Sequence, residues 1–473
     1  MNNYQMFIAG QWTTSQETIP IINPFNNKIL GYMPEATDEQ IENALRSAWQ
    51  AQNIMKNLAA HKRAEILFKT ADFLKINREK MTSSIISESG KPLKWATTEV
   101  SRAIENLKFC AIESMKIHGE TVPMDASRGS ENRMGFWMRF PIGPVAAISP
   151  FNFPLNLVIH KIAPAVAAGN PVILKPASKT PGPAQLLVSL LLEAGLPDQA
   201  INLIFGSGAK VGEALVKDAR VSKITFTGSP SIGKRIKQIS GLKKITLELG
   251  SNSAVIIDDD ANIDLALERC LEGSFAYSGQ VCISVQRIYV HDSLYESFTK
   301  DFIGKINVLK IGDPAEKSTD IGPLISKTES ERVEDWVKEA TDNGADILCG
   351  GKRDRNFYEP TVLTNVKNEM KVICQEAFGP IVSLIPFNNY TDSLSMLNNS
   401  IYGLQAGVFT KNITHAFDAV KQLNVGGIII NDVPSYRADH MPYGGVKESG
   451  IGREGARFAI EEMTNIKMIV FNL

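Results

Sequence analysis

The stretch KITFTGSPSIGKRI (residues 223–236) passes from an apolar strand through a turn into a helix, with Gly228 and Gly233 bracketing four residues. Glycine in such a turn lets the backbone come close to a ligand, and a helix beginning at Ser231 offers unpaired N–H groups to an anion such as a pyrophosphate. Working outward, short apolar runs alternate with helical ones from about residue 140: PVAAIS, NLVIHKIAPAVAA, PVILK, AQLLVSLLLEAG, INLIF and KVGEALV precede it. Strands of this kind are buried on both faces, and their alternation with helices implies right-handed crossovers in a parallel sheet. The fold class is therefore α/β, a doubly wound nucleotide-binding architecture. GSGAKVG (residues 206–212) is as glycine-rich one unit earlier, and neither stretch is the GxGxxG fingerprint after a first strand. Any nicotinamide cofactor must be bound in a variant way.

On the amino-terminal side, FIAGQW predicts a hairpin, and TDEQIENALRSAW opens with Thr37 and Gln40 in capping-box spacing. Ile41, Ala44, Leu45, Ala48 and Trp49 then recur on one helical face. Two more helices are expected, one closing near Gly90, the next with Pro92 in its first turn and an end near Gly119. Beyond residue 250 a second series (SAVIID, SVQRIYVH, IVSLIPF, AGVFT, GGIIIND) predicts another α/β domain with its own sheet.

The 473 residues are 44% hydrophobic and 21% charged with a net charge of -1, and the 50 basic residues are scattered, which argues against a nucleic-acid partner. Five cysteines, an odd and widely spaced set, speak for a reducing compartment, and no CxxC or HExxH spacing suggests a metal. No targeting region and no apolar run of membrane-spanning length is present, so no membrane partner and a cytoplasmic location are expected.

In SGQVCIS (residues 278–284) a cysteine stands among small and polar neighbours. Most unpaired cysteines are inert buried hydrophobes. Room around the Cys282 sulfur and a tight loop at Gly279 suit a nucleophile instead. In KKITLELG, Ile245, Leu247 and Leu249 point one way, Thr246 and Glu248 the other. Glu248 is either an edge residue facing water or a buried carboxylate aimed into a cleft, where burial raises its pKa towards the range of a general base. Asp258, Asp259 and Asp260 read as a solvated strand end. Cys110, Cys270 and Cys374 read as core residues, Arg287 as structural, and of the six histidines only His440 falls in a candidate site.

Five stretches, in order, carry a resemblance: SPFNFPLN (149–156), KPAS (175–178), FTGSPSIG (226–233), LELGSNS with GQVCIS (247–253 and 279–284), and EAFGP followed by PYGGVKESGIGRE (376–380 and 442–454). Together they resemble the aldehyde dehydrogenase superfamily over essentially the whole chain. The resemblance implies a variant Rossmann cofactor domain (residues 1–119 and 141–249), an α/β catalytic domain (250–445) and a small β oligomerisation element (120–140 and 446–473), assembled as a homodimer or homotetramer. It implies Cys282 as nucleophile, Glu248 as general base and Asn152 as oxyanion donor beside the Cys282 backbone N–H. A thiolate adds to the aldehyde, the alkoxide expels hydride to nicotinamide, and water activated by Glu248 cleaves the thioester. By the same resemblance NAD or NADP is held by Ser149, Pro150 and Phe151, by Lys175 and Ser178 at the adenosine ribose, by Gly228, Ser229 and Gly233 along the pyrophosphate, and by Glu376 and Phe378 at the nicotinamide end.

Ser178 departs from the glutamate that many NAD-preferring members carry. Serine removes a repulsion, and Lys175, Lys179 and Lys210 could attract a 2′-phosphate, so acceptance of NADP is expected. The arginines with which relatives hold anionic substrates are missing before the cysteine, where Val281 and Ala276 stand. The wording of CISVQRIYVH and NDVPSYRADHMPYGG is most similar to the lactaldehyde and sulfolactaldehyde branch. Arg437 and His440 are then candidates for a hydroxyl, carboxylate or sulfonate on a short polar aldehyde, and Tyr443 for the pocket wall. Competing readings are a phosphoglyceraldehyde or succinic semialdehyde dehydrogenase, and a cofactor-independent thiol esterase.

Overall fold

A computed structural model describes residues 2–473. Its largest sheet has eight strands in the order Gly450–Ile451, Lys244–Glu248, Lys223–Thr227, Val145–Ile148, Val172–Lys175, Ile201–Leu203, Met6–Ile8 and Gln11–Thr13. The inner five run parallel and both margins are antiparallel. The strand order reverses beside Val145–Ile148, which pairs with Val172–Lys175 on one side and Lys223–Thr227 on the other. In an open parallel sheet the crevice beyond the carboxyl ends at such a switch point is where ligands bind. The loop starting at Ser149 and the turn at Gly228 flank that crevice.

The helix Asn156–Ala168 has every residue buried, including His160 and Lys161, and it carries the weight of the sheet's core packing. A second sheet of seven strands runs Asp346–Cys349, Thr361–Thr364, Ile381–Phe387, Arg287–His291, Ala254–Ile257, Gln405–Phe409 and Gly427–Ile430, parallel except at its first margin. A third sheet joins Glu120–Val122, Arg133–Pro141 and Thr464–Asn472.

Local chemistry explains several boundaries. The first hairpin turns at Ala9 and Gly10, both at positive φ, as a two-residue turn matching strand twist requires. Thr37 and Gln40 form the expected capping box on Asp38–Gln50, although Trp49 is half exposed and not part of the buried face. Gly90 closes its helix in the left-handed conformation. Pro92 is the N-cap of Leu93–Ser114 and not a first-turn residue, and that helix ends before Gly119, whose added Cβ would lie 1.7 Å from Trp137 O. Residues 446–473 do not act as one element: Ile451 pairs with Leu247 in the large sheet, and only Thr464–Asn472 joins the small one. Asp258 is buried, accepting from Thr410 Oγ1 (3.0 Å) and facing His415 Nδ1 (2.6 Å), while Asp259 is exposed; the strand end is thus anchored inside and not simply solvated. Cys110 and Cys270 are buried as expected, but Cys374 is partly exposed at the end of a short helix; all five cysteines are free. Arg287 is buried and spends its donors on Asn252 O, Tyr289 Oη and Leu397 O. No helix of the described residues is long and apolar enough to cross a membrane.

Candidate active site

The loop that presents Cys282 is tightly wound. Tyr277, Ser278 and Gly279 have φ of 49°, 54° and 71°. Two such non-glycine residues in a row persist only where the surroundings impose them. Here the surroundings do: Tyr277 Oη donates to Ser89 O (2.9 Å) and Ser278 Oγ to Gly322 O (2.7 Å). Gly279 has no alternative, since a Cβ would lie 2.1 Å from Gly379 O. Asn152, buried after the first parallel strand, donates Nδ2 to Gln280 O (3.0 Å), which ties the Ser149 loop to the cysteine loop.

Cys282 Sγ stands 3.3 Å from Tyr443 Oη. Burial pushes the thiol up to about 12, with the Tyr443 hydrogen bond working against it. Burial also raises Tyr443, so its hydroxyl stays protonated. Above the Tyr443 ring, at 3.6 Å, lies the Arg437 guanidinium.

Glu248 ends the strand Lys244–Glu248. It is 3% exposed, and neither carboxylate oxygen has a hydrogen-bond partner. The alternative of an edge residue facing water is thereby removed. Gly444 fits against it, for a Cβ there would sit 2.8 Å from Glu248 Oε1. Burial first, then the charge of Glu454, raise the Glu248 pKa well above the usual carboxylate range. Glu454 itself is held low by Lys161 (3.0 Å) and Arg437 (2.9 Å). Two neighbouring carboxylates are thus separated into one permanently charged and one able to carry a proton.

His440 does not face this centre: it is exposed and packs on Phe109, ring centroids 4.7 Å apart. The histidine that does is His160, buried, 2.8 Å from Asp439 Oδ1 and 3.1 Å from Arg437 Nη2. Asp439 also takes a two-pronged ion pair from Arg102. Arg437 is therefore no surface residue; its side chain is 6% exposed and its Nε is buried without a partner. Sequence reasoning missed His160, Lys161 and Glu454. A local signal existed in NLVIHKIAPAVAA, where two polar residues interrupt a helix otherwise apolar on all sides.

Along the carboxyl ends of the large sheet, Lys175 is buried and lowered to about 8 by burial. Ser178 Oγ donates to Gly206 O (3.0 Å), and Ser149 Oγ is buried without a partner. Gly228 N–H donates to Glu248 O (3.0 Å), and Ser229 is the N-cap of Pro230–Ile239 with no side-chain cap bond. Gly233 differs from expectation: it faces the sheet, where a Cβ would meet Leu249 Cδ2 at 2.4 Å, so it sets helix–sheet distance and does not line a ligand path. An apolar cleft of about 230 Å³ opens between that helix and Gly208–Gly212, lined by Ile148, Val216, Phe226, Ile232 and Ile236. The two glycine-rich stretches are therefore opposite walls of one slot. At the other end Glu376 Oε1 accepts from Ser251 N–H (3.0 Å), and burial brings its carboxyl to about 7. Phe378 meets Phe151 edge-on at 5.9 Å, leaving Pro150 and Phe151 beside the cysteine-side mouth.

An apolar slot, the buried ammonium of Lys175, orphaned oxygens on Ser149 and Glu248, and a thiol facing a neutral tyrosine make up the candidate site. A family model described as the aldehyde dehydrogenase family matches residues 12–469. The chain is 46% identical to a 3-sulfolactaldehyde dehydrogenase of Priestia aryabhattai, covering 100% of this chain and 99% of that protein. It is 40% identical to a lactaldehyde dehydrogenase of Methanococcus aeolicus, covering 99% and 100%. The crystal structure of the NADP-dependent glyceraldehyde-3-phosphate dehydrogenase from Bacillus halodurans C-125 complexed with NADP superimposes with a TM-score of 0.97 at 35% identity, covering 100% of both chains. Fold and full-length similarity agree that this chain belongs to the aldehyde dehydrogenase family.

Proposed function

We propose that the protein oxidises a short polar aldehyde of the lactaldehyde or sulfolactaldehyde type to its carboxylic acid, using NAD or NADP and water. The observation that carries this reading is the unpartnered buried carboxylate of Glu248 close to Cys282. An acceptor left bare in a dry site is costly unless something arrives to use it. The residues fit a nicotinamide dinucleotide: the apolar cleft suits adenine, Lys175 and Ser178 the adenosine ribose, the backbone N–H groups of Ser229, Ser231 and Ile232 around the start of Pro230–Ile239 the pyrophosphate, and Ser149, Glu376 and Phe378 the nicotinamide end. When bound, that cofactor supplies the hydride acceptor.

The chain's own groups divide the remaining work. Burial makes Glu248 a stronger base than an exposed carboxylate, and the Cys282 thiol, also raised by burial, reaches its thiolate by losing its proton to solvent. The thiolate attacks the aldehyde carbon to form a thiohemiacetal, with the Tyr443 hydroxyl holding the sulfur. Asn152 Nδ2 and the Cys282 N–H stabilise the developing oxyanion. After oxidation a thioester remains, and Glu248 deprotonates the water that releases the acid. A carboxylate base at this place favours hydrolysis over acyl transfer to another thiol.

At the substrate end, Arg437 holds one unpartnered donor beside Tyr443, while His160 and Asp439 fix its position. An anionic or hydroxylated tail would pair with that donor. Arg437→Gln is expected to raise the KM for 3-sulfolactaldehyde at least about tenfold more than that for propanal, the cost of one buried charge-assisted hydrogen bond. His440→Ala is expected to change both by less than about twofold. A selective effect at His440 and none at Arg437 would transfer the role back to the exposed histidine.

The deciding assay is NAD(P)H formation by purified protein with 3-sulfolactaldehyde, lactaldehyde, glyceraldehyde 3-phosphate, succinic semialdehyde and propanal. Preference for the hydroxylated three-carbon aldehydes supports the reading. Preference for the phosphorylated or dicarboxylic-type substrates replaces it, and hydrolysis of an ester such as 4-nitrophenyl acetate with no NAD(P)H formed from any of the aldehydes would make the protein a thiol esterase. The edge strand Thr464–Asn472 exposes Ile466, Met468, Val470 and Phe471 with its hydrogen-bonding margin open, which supports assembly as a homodimer or homotetramer.

A further inference from the structure

The serine at 178 leaves the adenosine end of the groove without the carboxylate expected for NAD selection, but the fold brings one from a distant segment. The carboxyl ends of Val172–Lys175 and Ile201–Leu203 lie side by side, with Ile204 N–H donating to Leu174 O (2.9 Å). Residues 35 and 36 cross this edge: Ala36 N–H donates to Phe205 O (3.1 Å), and Ser207 N–H donates to Glu35 Oε1 (2.9 Å). Gly206 has a φ of +141°, and a Cβ on it would reach Glu35 Cγ at 3.3 Å, so the carboxylate lies directly against the loop that Ser178 Oγ also holds. Ser207 in turn caps Gly208–Gly212, one wall of the apolar cleft. Glu35 is partly exposed, and only Oε1 is engaged in a hydrogen bond among the described residues.

Its charge is also the one that acts on Lys175, opposing the effect of burial on that ammonium. Lys175 is therefore already partly compensated and is not a free cation for a phosphate. Lys179 is exposed, and Lys210 lies within the turn that Ser207 caps. Of these three lysines, Lys175 is offset and Lys179 is solvated, whereas the negative charge of Glu35 is held by a backbone N–H.

We propose that Glu35 is the cofactor-specificity residue of this chain: its free oxygen accepts a hydroxyl of the adenosine ribose and its charge repels a 2′-phosphate, so NAD is selected over NADP. The inference rests on the reading of the apolar cleft as the adenosine site. It places the discriminating carboxylate on the amino-terminal segment, against the same Gly206 loop that Ser178 holds.

Equilibrium binding of NADH and of NADPH to the purified full-length protein, read by quenching of tryptophan fluorescence at low ionic strength, tests it without turnover. The variants are Glu35→Gln, which keeps an acceptor for Ser207 N–H and removes the charge, and Glu35→Ala, which removes both. The wild type is expected to hold NADPH at least about tenfold more weakly than NADH, as a fixed like charge in a partly screened site would give. Glu35→Gln is expected to tighten NADPH about tenfold and to leave NADH within about threefold. Equal wild-type affinities, or a ratio unmoved in Glu35→Gln, overturn the role of Glu35 while leaving the cleft as a cofactor site. Failure of the folded wild type to bind either nucleotide overturns both. Should Glu35→Ala unfold on thermal melting, the Gln variant alone decides.

Discussion

Cys282→Ala is expected to lower kcat/KM for every aldehyde by at least about 10⁴-fold, because no other group in the groove can form the covalent intermediate. Cys110 and Cys270 are buried in the core, and Cys349 and Cys374 lie on the strand Asp346–Cys349 and the short helix Lys371–Cys374, not on the loop that carries Cys282, so none can substitute. The wild type carries a second signature of the same residue. With the thiol pushed up to about 12 by burial, the thiolate fraction rises about tenfold per pH unit throughout the neutral range. Loss of activity on iodoacetamide treatment in the absence of cofactor should therefore accelerate steadily from about pH 6 to about pH 9 without a plateau. Activity, not label count, must be followed, because Cys349 and Cys374 are partly exposed and will also react. A plateau near neutrality would mean that a neighbour already ionises the sulfur and that burial does not dominate.

Glu248→Gln should separate the two halves of the reaction. The amide is nearly isosteric, and since both native oxygens already lack partners, no existing hydrogen bond is broken. Loss of the base is expected to reduce steady-state kcat by about 10²- to 10⁴-fold. A thioester that forms but is not hydrolysed should accumulate, visible as a covalent acyl adduct on the intact protein and as a burst of NAD(P)H of one equivalent per site. A variant with undiminished steady-state turnover would show that another group activates water. One with neither burst nor adduct would place Glu248 before thioester formation only, as the acceptor of the thiol proton.

How far these residues were legible before the fold depended on the range of the physics involved. The two-residue period of Ile245, Leu247 and Leu249 identified the face of Glu248, and the Thr37 box and the Ala9–Gly10 turn were local hydrogen-bond chemistry. The doubly wound sheet followed from alternation alone. What stayed hidden were pairings between segments far apart in the chain. His160 and Lys161 sit in an apolar helix whose partners, Asp439 and Glu454, come from near the carboxyl terminus, and no periodicity reports that. Glu35 reads as one acidic residue before a helix until Ser207 is placed beside it. Gly233 was recognised as necessary, but for the wrong neighbour, because a turn motif does not say which glycine meets a ligand and which meets a leucine. His440 and Arg437 stand three positions apart in one loop, yet one faces solvent and the other is enclosed, a distinction that loop sequence does not encode.

The short strand Gly450–Ile451 pairs with Leu247 and Glu248, and Glu454 lies just beyond it, after Gly452 and Arg453. During synthesis, then, a nascent chain can display Cys282 and Glu248 long before the segment that closes over them has left the ribosome. Before that later segment docks, Glu248 lacks the strand Gly450–Ile451 and the charge of Glu454 beside it, and the sulfur lacks Tyr443. The surroundings of both side chains are thus completed by segments synthesised well after them.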